Sequence, residues 1–132
     1  MPHKKRLTLL LTLFITLVWL INGLYCKILN GVPRHEAIVA EILNTPHSRV
    51  LTILIGISEV IMAIWIWSRW RSRENATLQI LIVSTMNILE FLLVPHLLLW
   101  GKANALFALS FIAVVYYNEF ILNTSKDAWF IP

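Results

Sequence analysis

The sequence predicts an all-α protein, an integral membrane four-helix bundle with a short amphipathic helix between helices 1 and 2. Hydrophobic residues make up 58% of the 132-residue chain and charged residues 14%, whereas soluble domains average about 45–50% and roughly 25%. So small a chain cannot bury this much apolar surface away from water. Four apolar stretches are also long enough for a helix to cross a bilayer, which takes about 20 residues. The length predicts a single transmembrane domain over residues 1–132.

The four spans are predicted at about residues 7–29, 49–68, 76–99 and 103–123. The first follows MPHKKR, as in a signal peptide, but its apolar run exceeds the about 7–15 residues of a signal-peptide core. No A-x-A-like cleavage site follows it, so we expect a retained helix. Asn75 is expected to cap the start of the third helix.

A longer link, NGVPRHEAIVAEILNTPHS, separates the first two spans. Its ends carry the turn signals Asn-Gly and Thr-Pro, and its middle places apolar residues at helical spacing opposite Glu36 and Glu41. This pattern predicts a short amphipathic helix over about residues 33–44. We expect it to lie at the outer membrane interface or to fold back over the mouth of the bundle.

Basic residues predict the orientation of the bundle. Seven of them fall at one end of the spans: Lys4, Lys5, Arg6, Arg69, Arg71, Arg73 and Lys126. Four fall at the other end: Lys27, Arg34, Arg49 and Lys102. Because cytoplasmic loops carry the excess of Lys and Arg, both termini are predicted to be cytoplasmic. Basic residues at span ends are typical of membrane topology, so no nucleic-acid partner is expected.

Two glutamates and two asparagines interrupt the apolar spans. Glu59 lies in ILIGISEVIMAIWI, about 15 Å from the outer end of the second span at a helical rise of about 1.5 Å per residue. The same count places Asn87 near the midplane, Glu90 one turn further outward and Asn22 in the outer half of the first span. Ionisable side chains within spans cost about 2.5–3.5 kcal/mol to insert and usually face the bundle interior. The four groups therefore predict a polar cavity that opens outward.

This cavity is predicted to bind a lipophilic small molecule, such as a quinone, an isoprenoid or a sterol-like lipid. Glu59 and Glu90 would be its polar contacts, or an acid/base pair in isomerase-type chemistry. The ligand-binding residues are predicted to be Trp19, Asn22, Tyr25, Asn87, Arg34, His35 and His96. The two asparagines would orient the ligand, and Trp19 would stack on it or stabilise a developing cation. Arg34 and His35 would form a lid or steer an anionic head group.

Packing alone offers another interpretation of the same residues. A neutral Glu59 would then hydrogen-bond to Asn87 or Asn22. Gly56 and Ala63, on or near the same helix face, would allow the helices to approach closely.

Motifs for metals and nucleotides are missing from the sequence. Cys26 is the only cysteine, and no HExxH, CxxC or paired-histidine spacing occurs, so no metal site is predicted. No glycine-rich phosphate loop is present, and no cofactor is expected. Glu119, late in the fourth span, is expected to lie near the inner interface and to reach water.

The stretches WLINGLYCK, VPRHEAIVAEIL and IGISEVIMAIW resemble the DoxX-like family of small bacterial membrane proteins. The residues that carry the pattern are Trp19, Asn22, Gly23, Lys27, Pro33, Arg34, His35, Gly56 and Glu59. The resemblance implies a four-helix bundle in the bacterial cytoplasmic membrane, sometimes associated with oxidoreductases. More distantly, the layout is similar to the emopamil-binding superfamily, whose bundles bind sterol-like ligands in an acidic, aromatic-lined cavity.

Three functions are compatible with these patterns. The first is the lipophile-binding cavity, and the second is a non-catalytic membrane subunit or anchor of an oxidoreductase complex. The third is a proton relay or transporter, which four short helices without internal repeats disfavour. The expected partners are therefore the lipid bilayer, a lipophilic small molecule, and either an oxidoreductase or a second copy of the chain.

Overall fold

A computed structural model of the chain describes residues 2–94, 96 and 104–122. Every regular element within these residues is helical. The helices are α1 (Pro2–Leu20), α2 (Arg34–Leu43), α3 (Ser48–Ser68), α4 (Ser72–Leu93) and α5 (Asn104–Tyr116). Two π-helical segments, Ile21–Ile28 after α1 and Tyr117–Ile121 after α5, continue their helices with wider turns. We call them the π extensions of α1 and α5.

Four helical stretches are long and apolar enough to cross a membrane: Lys5–Ile28, Ser48–Ser68, Ser72–Leu93 and Asn104–Ile121. They confirm the predicted four-helix membrane bundle. Each stretch also exposes large apolar side chains, among them Leu10, Ile64, Leu81 and Leu106. An apolar outer surface suits helices whose surroundings are lipid.

The turn between α3 and α4 is tighter than the sequence suggests. Arg69 and Arg71 adopt left-handed backbone conformations, with φ of 61° and 47°, and α4 begins at Ser72. The prediction that Asn75 caps this helix is therefore wrong, because Arg71 occupies the cap position and Asn75 is buried in the first turn. The predicted ends of the third and fourth spans, at residues 99 and 123, lie outside the described residues.

The long helices pack mainly as two pairs, and α3 and α4 contact each other little. α3 packs against α1, and most extensively against the π extension of α1. α5 packs against α4. The short helix α2 contacts α3, α4 and the π extension of α1, so it folds across one end of the bundle. We call this the α2 end, and the opposite end, where α1 begins, the N-terminal end.

The apolar core lies toward the N-terminal end, between the four long helices. Its buried residues are Ile15, Trp19, Met62, Ala63, Ile66, Ala76 and Val115. The two alanines let α3 and α4 approach their neighbours closely. Toward the α2 end, the bundle is held by polar contacts.

Candidate functional site

A buried ion pair joins the first two spans at the α2 end. The Nζ atom of Lys27 lies 2.8 Å from the Oε1 atom of Glu59, and the two side chains are 7% and 14% exposed. The prediction that Lys27 belongs to the surface charges of this end is therefore wrong. Two charges in so apolar a place are tolerated because they are paired.

Two glycines bring this pair together where the π extension of α1 crosses α3. A Cβ atom on Gly23 would lie 2.5 Å from the carbonyl oxygen of Gly56 and 2.9 Å from the Cβ atom of Glu59. Conversely, a Cβ atom on Gly56 would lie 2.7 Å from the carbonyl oxygen of Gly23 and 3.0 Å from the Cβ atom of Lys27. Each glycine thus makes room for the charged residue of the opposite helix.

The π extension itself turns these residues inward. Gly23, Cys26 and Lys27 are its buried residues. A π-helix bonds residue i to residue i+5 and is found mostly as short segments, frequently at functional sites. They are spaced i, i+3 and i+4 along the chain, so they lie on one helix face, and that face is turned toward α3.

Arg49 closes the site where the first span ends. Its Nη1 atom donates to the carbonyl oxygen of Lys27 at 2.8 Å, and its Nη2 atom donates to that of Ile28 at 2.7 Å. The guanidinium also lies 3.6 Å from Glu36 on α2. The last carbonyls of a helix lack partners within it and carry partial negative charge, so a cation there is stabilising. One side chain of α3 therefore holds both the first span and α2.

A second carboxylate belongs to the same region. Glu90 on α4 is half-buried and interacts electrostatically with both Lys27 and Glu59. We call these three residues the ion cluster. Within the described residues, no three His, Cys, Asp or Glu side chains are grouped closely enough to hold a metal ion. The chemistry of the cluster is therefore that of one ammonium and two carboxyl groups.

α2 places two basic residues beside the ion cluster. His35 is half-buried, and its burial, followed by the charges of Lys27 and Arg34, lowers its pKa from 6.5 to about 4. His35 is therefore neutral at neutral pH. Arg34 is half-buried and interacts electrostatically with both His35 and Cys26. The structure thus brings Arg34 and His35 to the ion cluster.

Trp19 lies away from the ion cluster, in the apolar core. Its indole Nε1 atom donates to Gln79 Oε1 at 2.8 Å, and Gln79 Nε2 donates to Asn75 Oδ1 at 2.6 Å. Asn75 Nδ2 in turn lies 3.3 Å from the sulfur of Met62. All four residues are buried. This hydrogen-bonded chain joins α1, α4 and α3, and sequence reasoning missed it.

The two predicted asparagines each bond to their own helix. Asn22 and Asn87 use their Nδ2 atoms to donate to the carbonyl oxygen four residues earlier, both at 2.8 Å. Glu59 instead has Lys27 as its partner within the described residues. The interpretation in which Glu59 hydrogen-bonds to one of these asparagines is therefore not supported.

Tyr25 and His96 lie at the surface of the α2 end. Tyr25 is exposed, and its ring packs over Gly31. His96 Nε2 lies 2.9 Å from Glu41 Oε2, which ties α2 to the segment after α4. Both residues of this contact are exposed.

An open groove of about 440 Å³ lies between α4 and α5. Among the residues that the structure describes, those lining the groove are all uncharged, and they include Ser84, Asn87, Phe91, Ala105, Ala108 and Ile112. Asn87 is the predicted site residue among them. Its Oδ1 atom accepts a hydrogen bond from Asn104 Nδ2 at 3.2 Å. The structure thus separates an apolar groove, with an amide on its wall, from the ion cluster.

A further buried ion pair lies at the N-terminal end. Arg69 Nη2 lies 2.8 Å from Glu119 Oε1, and the two side chains are 7% and 4% exposed. Ser72 donates from its hydroxyl to Glu119 Oε2 at 2.9 Å. The prediction that Glu119 reaches water is therefore wrong, because the turn after α3 directs Arg69 inward against the π extension of α5. No spacing in the sequence connects the two residues.

Comparison with known proteins covers both the ion cluster and the groove. A sequence model of the DoxX-like family matches residues 16–116, a range that contains all three residues of the cluster and all of α5. Glu119 lies beyond the match. No curated protein and no solved structure matches the chain. Because the match extends over more than half of the sequence and confirms the resemblance of the motifs, the chain belongs to the DoxX-like family.

Proposed function

We propose that this multi-pass membrane protein binds a lipophilic small molecule in the groove between α4 and α5. The groove carries the proposal: it measures about 440 Å³, and its lining is apolar apart from Ser84 and Asn87. Small-molecule sites are typically clefts of about 300–1,000 Å³ with mostly apolar walls and a few polar groups that fix orientation. A quinone, an isoprenoid or a sterol-like lipid fits this description.

Small side chains on both walls account for the space. Ala105 and Ala108 lie one turn apart on α5, and Ser84 and Asn87 lie one turn apart on α4. Phe91 supplies an aromatic surface one turn further along α4. A flat or branched apolar molecule between these walls would exchange contact with lipid for contact with protein.

Native mass spectrometry of the purified protein tests this proposal. We expect a co-purified lipophile on the wild type and its loss from the Ala108→Trp variant, in which the indole fills the groove. Leu54→Trp is the control, because Leu54 is exposed on α3. Retention of the same molecule by Ala108→Trp, or an empty wild-type protein, contradicts the proposal.

The ion cluster supports acid/base chemistry as a second candidate. The cluster holds one ammonium and two carboxyl groups, the kinds of group that serve as general acids and bases. In protein that circular dichroism shows to be folded, Glu59→Gln and Glu90→Gln are expected to abolish double-bond isomerisation of the co-purified lipophile and to leave its binding in the groove unchanged; the folding check is needed because Glu59→Gln also leaves Lys27 unpaired. Wild-type turnover in both variants excludes the role.

The same mass spectra test the alternative partners. A non-catalytic subunit or anchor would retain a stoichiometric oxidoreductase, and a homo-oligomer would appear at a multiple of the chain mass. A monomer with a bound lipophile favours the groove as the functional site.

We further propose that the protein lies in the bacterial cytoplasmic membrane with its N-terminal end in the cytoplasm. Four basic residues at this end are exposed: Lys5, Arg6, Arg71 and Arg73. At the α2 end, Lys27 is buried and Arg49 is bound to helix carbonyls. Lys102 and Lys126 lie outside the described residues. The positive-inside rule then predicts fluorescence from a green fluorescent protein fused to the N-terminus; a dark, exported fusion contradicts this orientation.

A further inference from the structure

We infer that the ligand of the groove carries a neutral hydroxyl or carbonyl head, which binds the amide of Asn87 on the groove wall and the amide of its hydrogen-bond partner Asn104 beside the lining. The inference rests on the proposed function, since it names the class of molecule that the groove would take. The groove would then reject a ligand that has the same apolar tail and a charged head.

The amide pair leaves hydrogen-bonding capacity for a ligand. Each side-chain amide has two N–H donors and an oxygen with two lone pairs. Asn87 uses one donor on its own helix and one lone pair on Asn104, and Asn104 uses one donor on Asn87. Among the described contacts, both residues therefore keep a donor and an acceptor. A hydroxyl head can satisfy both kinds of group, and a carbonyl head can accept from the donors.

The charges around the groove disfavour an anionic head. Every lining residue in the described part of the chain is uncharged, so none of these side chains would neutralise a phosphate or a carboxylate. Glu90 lies three residues after Asn87 on α4 and belongs to the ion cluster, which holds two carboxyl groups, those of Glu59 and Glu90, and one ammonium. An ionised head placed in apolar surroundings without a partner loses its hydration without compensation.

A cationic head is disfavoured for the same reason. The carboxylate of Glu59 is already paired with Lys27 at 2.8 Å. Glu90 lies outside the lining of the groove and interacts with Lys27. An ammonium beside Asn87 would have amide oxygens as partners but no carboxylate among the lining residues.

Three probes with one tail separate these cases. Farnesol, farnesyl phosphate and farnesylamine share a fifteen-carbon chain and differ in a neutral, an anionic and a cationic head. We expect farnesol to bind the wild type about tenfold more tightly than either charged probe, measured by native mass spectrometry titration in a neutral detergent.

Asn87→Leu is the test variant, and Asn22→Leu is its matched control. Both asparagines donate to the carbonyl oxygen four residues earlier at 2.8 Å, and only Asn87 lines the groove. We expect Asn87→Leu to weaken farnesol binding about tenfold and to remove the preference over the charged probes. Asn104→Ala provides a second variant should Asn87→Leu fail to fold.

The outcomes separate this inference from the proposed function. Unchanged farnesol binding in Ala108→Trp shows that the groove is not the site, and both statements fail. If Ala108→Trp loses farnesol but the charged probes bind the wild type as tightly as farnesol, the head-group inference alone fails. It also fails if both Asn87→Leu and Asn104→Ala bind farnesol like the wild type. No binding of any probe to the wild type contradicts both statements.

Discussion

Gly23 and Gly56 lie backbone against backbone, and each faces the charged residue of the other's helix. The crossing therefore positions the Lys27–Glu59 ion pair as well as packing two spans together. The sequence of either helix alone predicts neither the close crossing nor the ion pair.

Gly56→Ala should destabilise the protein. The added methyl group would lie 2.7 Å from the carbonyl oxygen of Gly23, so the two helices must separate. Overpacking of this kind costs about 1–3 kcal/mol. Thermal unfolding in detergent measures the effect, and Ser58→Ala on the exposed side of α3 is the control. Equal melting temperatures for Gly56→Ala and the wild type would contradict the described crossing.

Glu59→Gln should cost far more stability than Glu74→Gln. The ion pairs of the two glutamates have similar lengths, 2.8 Å to Lys27 and 2.9 Å to Arg71, but the first is buried and the second exposed. Leaving a buried charge unpaired costs about 3–5 kcal/mol, whereas an exposed pair contributes about 1 kcal/mol or less.

A double-mutant cycle on the free energy of unfolding checks this prediction. The cycle compares Lys27→Met, Glu59→Met and the double variant; the double variant should cost less than the two single variants together, because each single variant leaves the charge of the other partner unpaired. Equal costs for Glu59→Gln and Glu74→Gln would show that the ion pair is not buried as described.

Trp19→Phe should destabilise the bundle by about 1–3 kcal/mol, the cost of a buried acceptor that has lost its donor. The phenyl ring keeps most of the apolar contact but leaves Gln79 Oε1 without the indole N–H. Trp70→Phe is the control, because Trp70 is exposed. Chemical unfolding monitored by circular dichroism measures the stability of the two variants. A Trp19→Phe variant as stable as Trp70→Phe would refute a stabilising role for the hydrogen bond from Trp19 to Gln79.

His35 should make stability depend on pH between about 6.5 and 4. Burial, then the charges of Lys27 and Arg34, lowers its pKa to about 4 in the folded protein, whereas an unfolded histidine has a pKa of about 6.5. The unfolded chain therefore binds more protons in this window, so stability falls as the pH decreases through it and is unaffected by this group above it. The pKa difference alone corresponds to about 3 kcal/mol, and the effect on stability is smaller because His35 is partly exposed and solvent screens its charge.

Melting temperatures of wild type and His35→Gln across this range check the prediction. The difference between the two proteins should change with pH, since the variant lacks the titrating group. His47→Gln is the control, because His47 is exposed. Parallel curves for wild type and His35→Gln would contradict it.

The number of spans followed from the sequence because a membrane helix needs a long apolar run, and such runs are local. The start of α4 did not follow. It depends on the left-handed backbone of Arg69 and Arg71, which no pattern in WSRWRSR specifies. Because the turn ends at Arg71, the residues from Ser72 onward, which the sequence assigned to a link, belong to α4. Asn75 therefore lies inside the helix.

The candidate site was predictable only in part. Glu59 and Glu90 stood out because carboxyl groups are rare in apolar runs, but the partner Lys27 did not. Its place at the end of the first span grouped Lys27 with the basic residues of that end, whereas its side chain is buried against Glu59 of α3. A signal was available: Gly23 precedes Lys27 by four residues and Gly56 precedes Glu59 by three. The sequence carried no such signal for the contact between Arg69 and Glu119, because this contact depends on how helices far apart in the sequence pack.

The two hydrogen bonds from Arg49 also bear on how the protein is made. During synthesis the first span is complete before Arg49 and Glu59 have been translated, so its lysine lacks the Glu59 counter-ion and its last carbonyls lack the Arg49 guanidinium as a donor. Lys27 and the carbonyl oxygens of Lys27 and Ile28 gain these partners only when α3 enters the membrane beside α1. The first two spans are therefore expected to integrate as a pair, with α2 settling across them once that hairpin has formed.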